Sequence, residues 1–164
     1  MKNLKDLFEH ELKDLHSAET QLLDALPKMQ KNAVSSDLQN AFEKHLKETQ
    51  GHQKRIEEIC DELGVKPTGH TCKAMKGLVN EAESFLNEKV DKNAMDAGLI
   101  AQAQRVEHYE ISAYGTAARY AKELGHNDIA NKLQKTLDEE YKTDDKLTKL
   151  AESRLNEKAK MAAE

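Results

Sequence analysis

The sequence predicts an all-α protein: four long helices, paired as two hairpins and joined by one long connection that holds a short extra helix. Three observations predict it. Two prolines, seven glycines and a charged fraction of 34 % leave Ala and Leu as filler and Lys and Glu for the outside, the composition of a helical bundle. Four long segments repeat apolar residues at intervals of three and four, the spacing of a buried helical face. The second and third segments stand about thirty residues apart, whereas the other connections are short turns. The 164 residues suffice for one domain with a real core.

The first helix starts near Asn3 and runs to about Met29, with Leu4, Leu7, Phe8, Glu11, Leu12, Leu15, Glu19, Leu22, Leu23 and Leu26 in its stripe. Pro27 is expected to kink or loosen its last turn. After a turn over Lys31–Asp37, Ser36 and Gln39 fit a capping box for the second helix. That helix ends at Leu63 before Gly64, and its inward set is Leu38, Ala41, Phe42, His45, Glu48, His52, Ile56, Ile59 and Leu63. The connection comprises a loop over Val65–Thr71, a short helix over about Cys72–Lys89 and a loop over Val90–Met95. Asp96 can cap the third helix, which ends at Gly125. Asn127 or Asp128 can cap the fourth, whose stripe is Ile129, Leu133, Leu137, Glu140, Asp144, Leu147 and Ala151. From Ser153 on, mixed charge predicts a frayed tail.

Carboxylates occupy the middle of these apolar stripes. A carboxylate in a core costs several kcal/mol unless a cation or a set of donors meets it. Residues equidistant from a hairpin turn lie at one level. Glu110 and Glu140 are centred on Gly125, and Glu107 and Asp144 half a residue beyond it. These two pairs are therefore roughly 5 Å apart along the axis. Glu19 and Glu48 are centred between Ala33 and Val34, inside the first turn. Two hairpins joined by one long crossover is the layout of ferritin-like bundles.

Six carboxylates converging in a core cannot all ionise without positive charge between them, and two metal ions about 3.5–4 Å apart would supply it. The candidate ligands are Glu19, Glu48, Glu107, Glu110, Glu140 and Asp144. His45 is a ligand or an outer partner, and His52 flanks Glu48 on the same face. Such a carboxylate-rich set favours iron, two per chain, or alternatively manganese, over copper and zinc. Tyr114, one turn beyond Glu110, reads chiefly as core packing, with a hydrogen bond to a ligand as the other possibility.

Other function classes are disfavoured. The formal net charge of −5 argues against non-specific nucleic-acid binding, which needs a basic face. No apolar run approaches 18 residues and no signal peptide opens the chain, which predicts a soluble cytoplasmic protein with no membrane partner. Cys60 and Cys72 form no framework and fit a reducing compartment, with a single bridge between them left open. Nucleotide loops, zinc-type Cys patterns and nucleophile elbows are missing from the sequence.

Several runs also match a known family. They are Leu15–Glu19 (LHSAE), Ala25–Met29 (ALPKM), His45–Thr49 (HLKET), Cys72–Leu78 (CKAMKGL), Val106–Gly115 (VEHYEISAYG) and Leu137–Asp144 (LDEEYKTD). They resemble the YciE/YciF-type ferritin-like proteins over nearly the whole chain. The resemblance implies a ferritin-like homodimer with a di-metal centre, associated with bacterial stress responses. The metal positions are also similar to those of the more distant rubrerythrins. There a Glu-x-x-Glu on the third helix and a Glu-x-x-x-His on the fourth bind iron. Glu19, Glu48, Glu107, Glu110 and Glu140 match, whereas Gly51 and Asp144 stand where those proteins have histidines. No Cys-rich rubredoxin module is present, so any electron donor would be external. The expected function is thus a di-metal stress-response protein that reduces peroxide. The alternative is a non-catalytic structural or interaction bundle that scavenges metal or keeps a vestigial acidic cluster.

Overall fold

The structure, a computed structural model, describes residues 1–161. Helix α1 spans Leu4–Asn32, α2 Ser36–Leu63, α3 Lys73–Leu86, α4 Lys92–Glu123, α5 Asn127–Leu150 and α6 Asn156–Met161. A single π-helical turn, Ala151–Leu155, joins the last two. α1 pairs with α2 and α4 with α5; α1 also touches α4, and α2 touches α5, which closes a four-helix bundle. α3 lies against α1 and α4, so the long connection crosses that face.

A four-three alternation runs through the buried positions of the long helices. On α1 it takes Phe8, Leu12, Leu15, Glu19, Leu22, Leu26 and Met29, with His16, Ala18 and Ala25 buried beside it; on α2 it takes Leu38, Phe42, His45, Thr49, His52, Ile56 and Ile59, with Cys60 buried beside it. α4 contributes Ile100, Ala103, Glu107, Glu110, Tyr114, Ala117 and Ala121. This is the seam of helices that wrap one another at a shallow left-handed angle. Two apolar clusters result. One, built around Phe42, Met75, Leu99 and Leu147, fills the end near the α1–α2 turn; the other, around Phe8, Ile56, Tyr114 and Leu133, fills the end near the α4–α5 turn. The polar members of the seam lie between the two.

The ends of the helices differ in part from expectation. Gly64 and Gly125 do terminate helices in the left-handed region, at φ 66° and 81°, with Val65 and His126 amides returning to the Cys60 and Ala121 carbonyls. Pro27 withholds one donor without ending α1, which continues to Asn32. The capping box at Ser36 and Gln39 does not form; Gln39 donates to the Ala33 carbonyl instead. Asp91, five residues upstream of the expected cap Asp96, caps α4. Asp96 is buried, and its two oxygens accept from the Val34 and Ser35 amides at 2.7 and 2.8 Å, clamping the α1–α2 turn to α4. The N-cap of α5 is His126, with no side-chain cap bond, in place of Asn127 or Asp128. The expected frayed tail is helical from Asn156 to Met161, because Leu155 is buried against the Phe42 cluster. The remainder of that tail, residues 162–164, lies outside the described residues. Cys60 and Cys72 are free, buried thiols.

Asp96→Ala leaves two turn amides without acceptors. It is expected to cost about 1–3 kcal/mol, read by denaturant unfolding; a loss under a few tenths would show that water satisfies the turn equally well.

Candidate metal centre

The middle layer of the seam is where the sequence departs most from a hydrophobic core. Glu19 from α1, His45 and His52 from α2, Glu107 and Glu110 from α4, and Glu140 from α5 are all at most 3 % exposed. Ligand atoms of His45, Glu107, Glu110 and Glu140 lie within 4.8 Å of one another, and so do those of Glu19, His52 and Glu140. Glu140 belongs to both groups. The layer therefore has two adjoining positions with one shared carboxylate.

Five of the seven expected ligands, Glu19, His45, Glu107, Glu110 and Glu140, are thus brought together. The other two are not. Glu48 is 25 % exposed and pairs with Lys44 at 2.7 Å, because Thr49, not Glu48, takes the inward turn of α2. Asp144 is 22 % exposed, accepts from Gln104 at 3.0 Å and stands 3.5 Å from His108, because it lies one residue beyond the seam of α5. His52, by contrast, is fully drawn in: its Nδ1 is 2.8 Å from Glu140 and 3.7 Å from Glu19. The 2.8 Å contact is close but not aligned as a hydrogen bond. His52 stands one residue beyond Gly51 on α2.

Outer contacts hold these side chains. His52 Nε2 is 3.0 Å from Glu139, and Glu139 accepts from Arg55 at the same distance. Arg55 also donates to Thr136. A carboxylate behind an imidazole fixes the ring and turns its other nitrogen toward the site. Burial alone would raise the Glu139 carboxyl, but Arg55 and His52 hold it below its usual range. The Tyr114 hydroxyl donates to Glu19 Oε1, so Tyr114 both packs the core and orients a candidate ligand. Thr136 lies in the seam of α5, whereas Glu139 and Arg55 stand outside the seams and carry no periodic signal of their own.

Electrostatically the layer is unsatisfied. Ten buried side-chain atoms of Glu19, His45, Thr49, His52, Glu107, Glu110 and Glu140 have no hydrogen-bond partner within the described protein. Burial, then mutual repulsion, pushes Glu107 and Glu110 well above the carboxylate range, and burial raises Glu19 to about 8. Burial lowers His52, but Glu140, Glu19 and Glu139 outweigh that and push it up to about 9. His45 is lowered by burial. Without added positive charge the layer must retain protons. A cavity of about 560 Å³ opens between α2 and α5, with His45 and Glu107 among its lining residues and Leu22, Leu26, Phe42 and Val106 as apolar wall.

Comparison with known proteins agrees with this architecture. The chain is 43 % identical over 164 residues to protein YciF of Escherichia coli (strain K12), covering 99 % of each chain. The crystal structure of that E. coli stress protein superposes with a TM-score of 0.91, covering 95 % of this chain and 99 % of the other. YcfI from Rhodopseudomonas palustris, described provisionally as a structural protein, matches at 42 % identity with a TM-score of 0.87, over 90 % of this chain and 94 % of the other. A Xanthomonas campestris protein at 15 % identity and a TM-score of 0.76 shares the fold, over 99 % of this chain and 100 % of its own. No helix among the described residues is long and apolar enough to cross a membrane. A family model described as a domain of unknown function, DUF892, matches residues 3–160, and the chain belongs to that family.

Proposed function

We propose that this DUF892 member is a di-metal protein of the oxidative or general stress response, holding iron or alternatively manganese, and that it reduces peroxide. The ten partnerless polar atoms gathered in one sealed layer carry this reading. Burying so many polar atoms without partners costs far more than a stable domain can spare, whereas two cations would meet most of them together. His45, Glu107, Glu110 and Glu140 would hold one ion, and Glu19, His52 and Glu140 the other. One imidazole per position among carboxylates suits iron and manganese better than copper or zinc.

A pair of ferrous ions held by these residues would supply the two electrons needed to reduce hydrogen peroxide to two hydroxides. The chain's own residues provide the setting. Glu140 is shared by the two positions, Tyr114 fixes Glu19, and the Glu139–Arg55 pair fixes His52. The α2–α5 cavity gives a small solute a path to His45 and Glu107. The E. coli relative's description as a stress protein supports the setting. A homodimer, a cytoplasmic location and an external electron donor belong to the same reading.

Metal content and melting temperature test it. Protein purified from cells is expected to hold about two iron or manganese ions per chain. It should melt at a higher temperature with added iron(II) or manganese(II) than with chelator, since an ion bound only by the folded state adds stability by mass action. The iron(II) form should consume about one equivalent of peroxide per pair of ions, faster than free iron(II). Absence of metal together with equal melting temperatures would leave the second reading, a structural bundle, which the description of the R. palustris relative favours.

A further inference from the structure

A second group of donors lies outside the core layer. His10 and Asp14 sit one turn apart on α1, and His70 comes from the loop between α2 and α3. One ligand atom from each lies within 4.8 Å of the others, and all three residues are half-buried. His70 Nε2 is 2.8 Å from Asp14 Oδ1, and the His10 and His70 rings meet edge-on with centroids 4.8 Å apart.

The surroundings fix this arrangement from both sides. The Tyr109 hydroxyl donates to Asp14 Oδ2 at 2.5 Å and orients the carboxylate. The loop reaches α1 through Gly69 at φ 95°, and its far end is tied down where the Cys72 amide donates to Ser17 at 2.9 Å. Gln21 donates to the Cys72 carbonyl at 3.2 Å. An oriented carboxylate behind which a tyrosine donates, with two imidazoles in edge-on contact beside it, is what a preformed metal site offers.

We propose that His10, Asp14 and His70 form a separate, surface-accessible site for a divalent zinc-class cation, which fastens the α2–α3 loop to α1. Two imidazoles and one carboxylate are a zinc donor set, with a fourth position left for water. This set is imidazole-rich where the core layer is carboxylate-rich, so the two select different ions. Half-burial makes the ion exchangeable, unlike one sealed in the core. The site does not depend on the di-metal reading, since none of its residues belongs to the core layer.

Zinc titration of the full chain against a chromophoric chelator tests this, with crystals soaked in zinc and measured on both sides of its absorption edge. Wild type is expected to bind one equivalent more than either His10→Ala or His70→Ala, with an anomalous peak between the three side chains. Tyr109→Phe should keep that equivalent but bind it about 10-fold more weakly. Unchanged circular dichroism would show that the variants fold. Equal stoichiometry in wild type and both histidine variants, or a peak only at Glu107 and Glu140, would overturn the site and show that Asp14 merely hydrogen-bonds the loop.

Discussion

Glu140→Ala is expected to strip both ions from the protein, whereas Glu107→Ala strips one. Glu140 is the single residue common to the two ligand groups, while Glu107 belongs only to the group that contains His45. Elemental analysis after dialysis reads the difference: about two ions per chain for wild type, near none for Glu140→Ala, about one for Glu107→Ala. Glu48→Ala, Asp144→Ala and Glu11→Ala should each retain about two. Glu48 and Asp144 are engaged with Lys44 and with Gln104, and Glu11 is outside both groups. In chelator the order of stability changes. Glu140→Gln keeps the shape of the side chain but cannot carry charge, so it relieves the repulsion that raises Glu107 and Glu110. It should melt no lower than wild type. Equal ion loss from Glu107→Ala and Glu140→Ala would remove the shared role of Glu140; full retention in Glu140→Ala would remove the site.

The sequence shows the four long helices, the crossover and four of the buried carboxylates because each rests on a local pattern. Glu107 and Glu110 stand one turn apart in an apolar stripe, and the distance from Gly125 sets Glu140 opposite them. Phase within a helix is harder to read. On α2, both Glu48 and Thr49 lie at three- or four-residue steps from His45 and His52. Only the unbroken four-three alternation through Leu38, Phe42, His45, Thr49, His52 and Ile56 selects Thr49. The same alternation through Leu133, Thr136, Glu140 and Leu147 on α5 skips Asp144. Contacts between distant residues leave no local trace at all. Asp96 clamps a turn 61 residues away, and Glu139 supports His52 across 87 residues. A capping residue and a clamp are chemically identical in sequence, so only packing separates them.

In chelator the protein should melt at progressively lower temperature as pH rises from about 6.5 to 9. Glu19 has its folded value raised to about 8, first by burial, from 4.5. Its contribution is fully present below 4.5, where both states are protonated, and is lost as pH rises through about 8. His52 has its folded value raised to about 9 from 6.5, against the effect of burial, by Glu140, Glu19 and Glu139. Its contribution is fully present below 6.5 and is lost as pH rises through about 9. The two groups therefore act in the same direction. Each removes about 1.4 kcal/mol per pH unit while the fold holds a proton that the unfolded chain has released. At this chain length each kcal/mol is about 2–4 °C in melting temperature. With iron(II) or manganese(II) bound, protons and metal compete for the same oxygens and nitrogens, so metal affinity rises with pH. The gap between loaded and chelated melting curves should then widen across that interval. Calorimetry at several pH values, with and without chelator, measures both trends. A flat chelated curve, or a gap that narrows with pH, would mean that the buried layer carries no protons for a metal to displace.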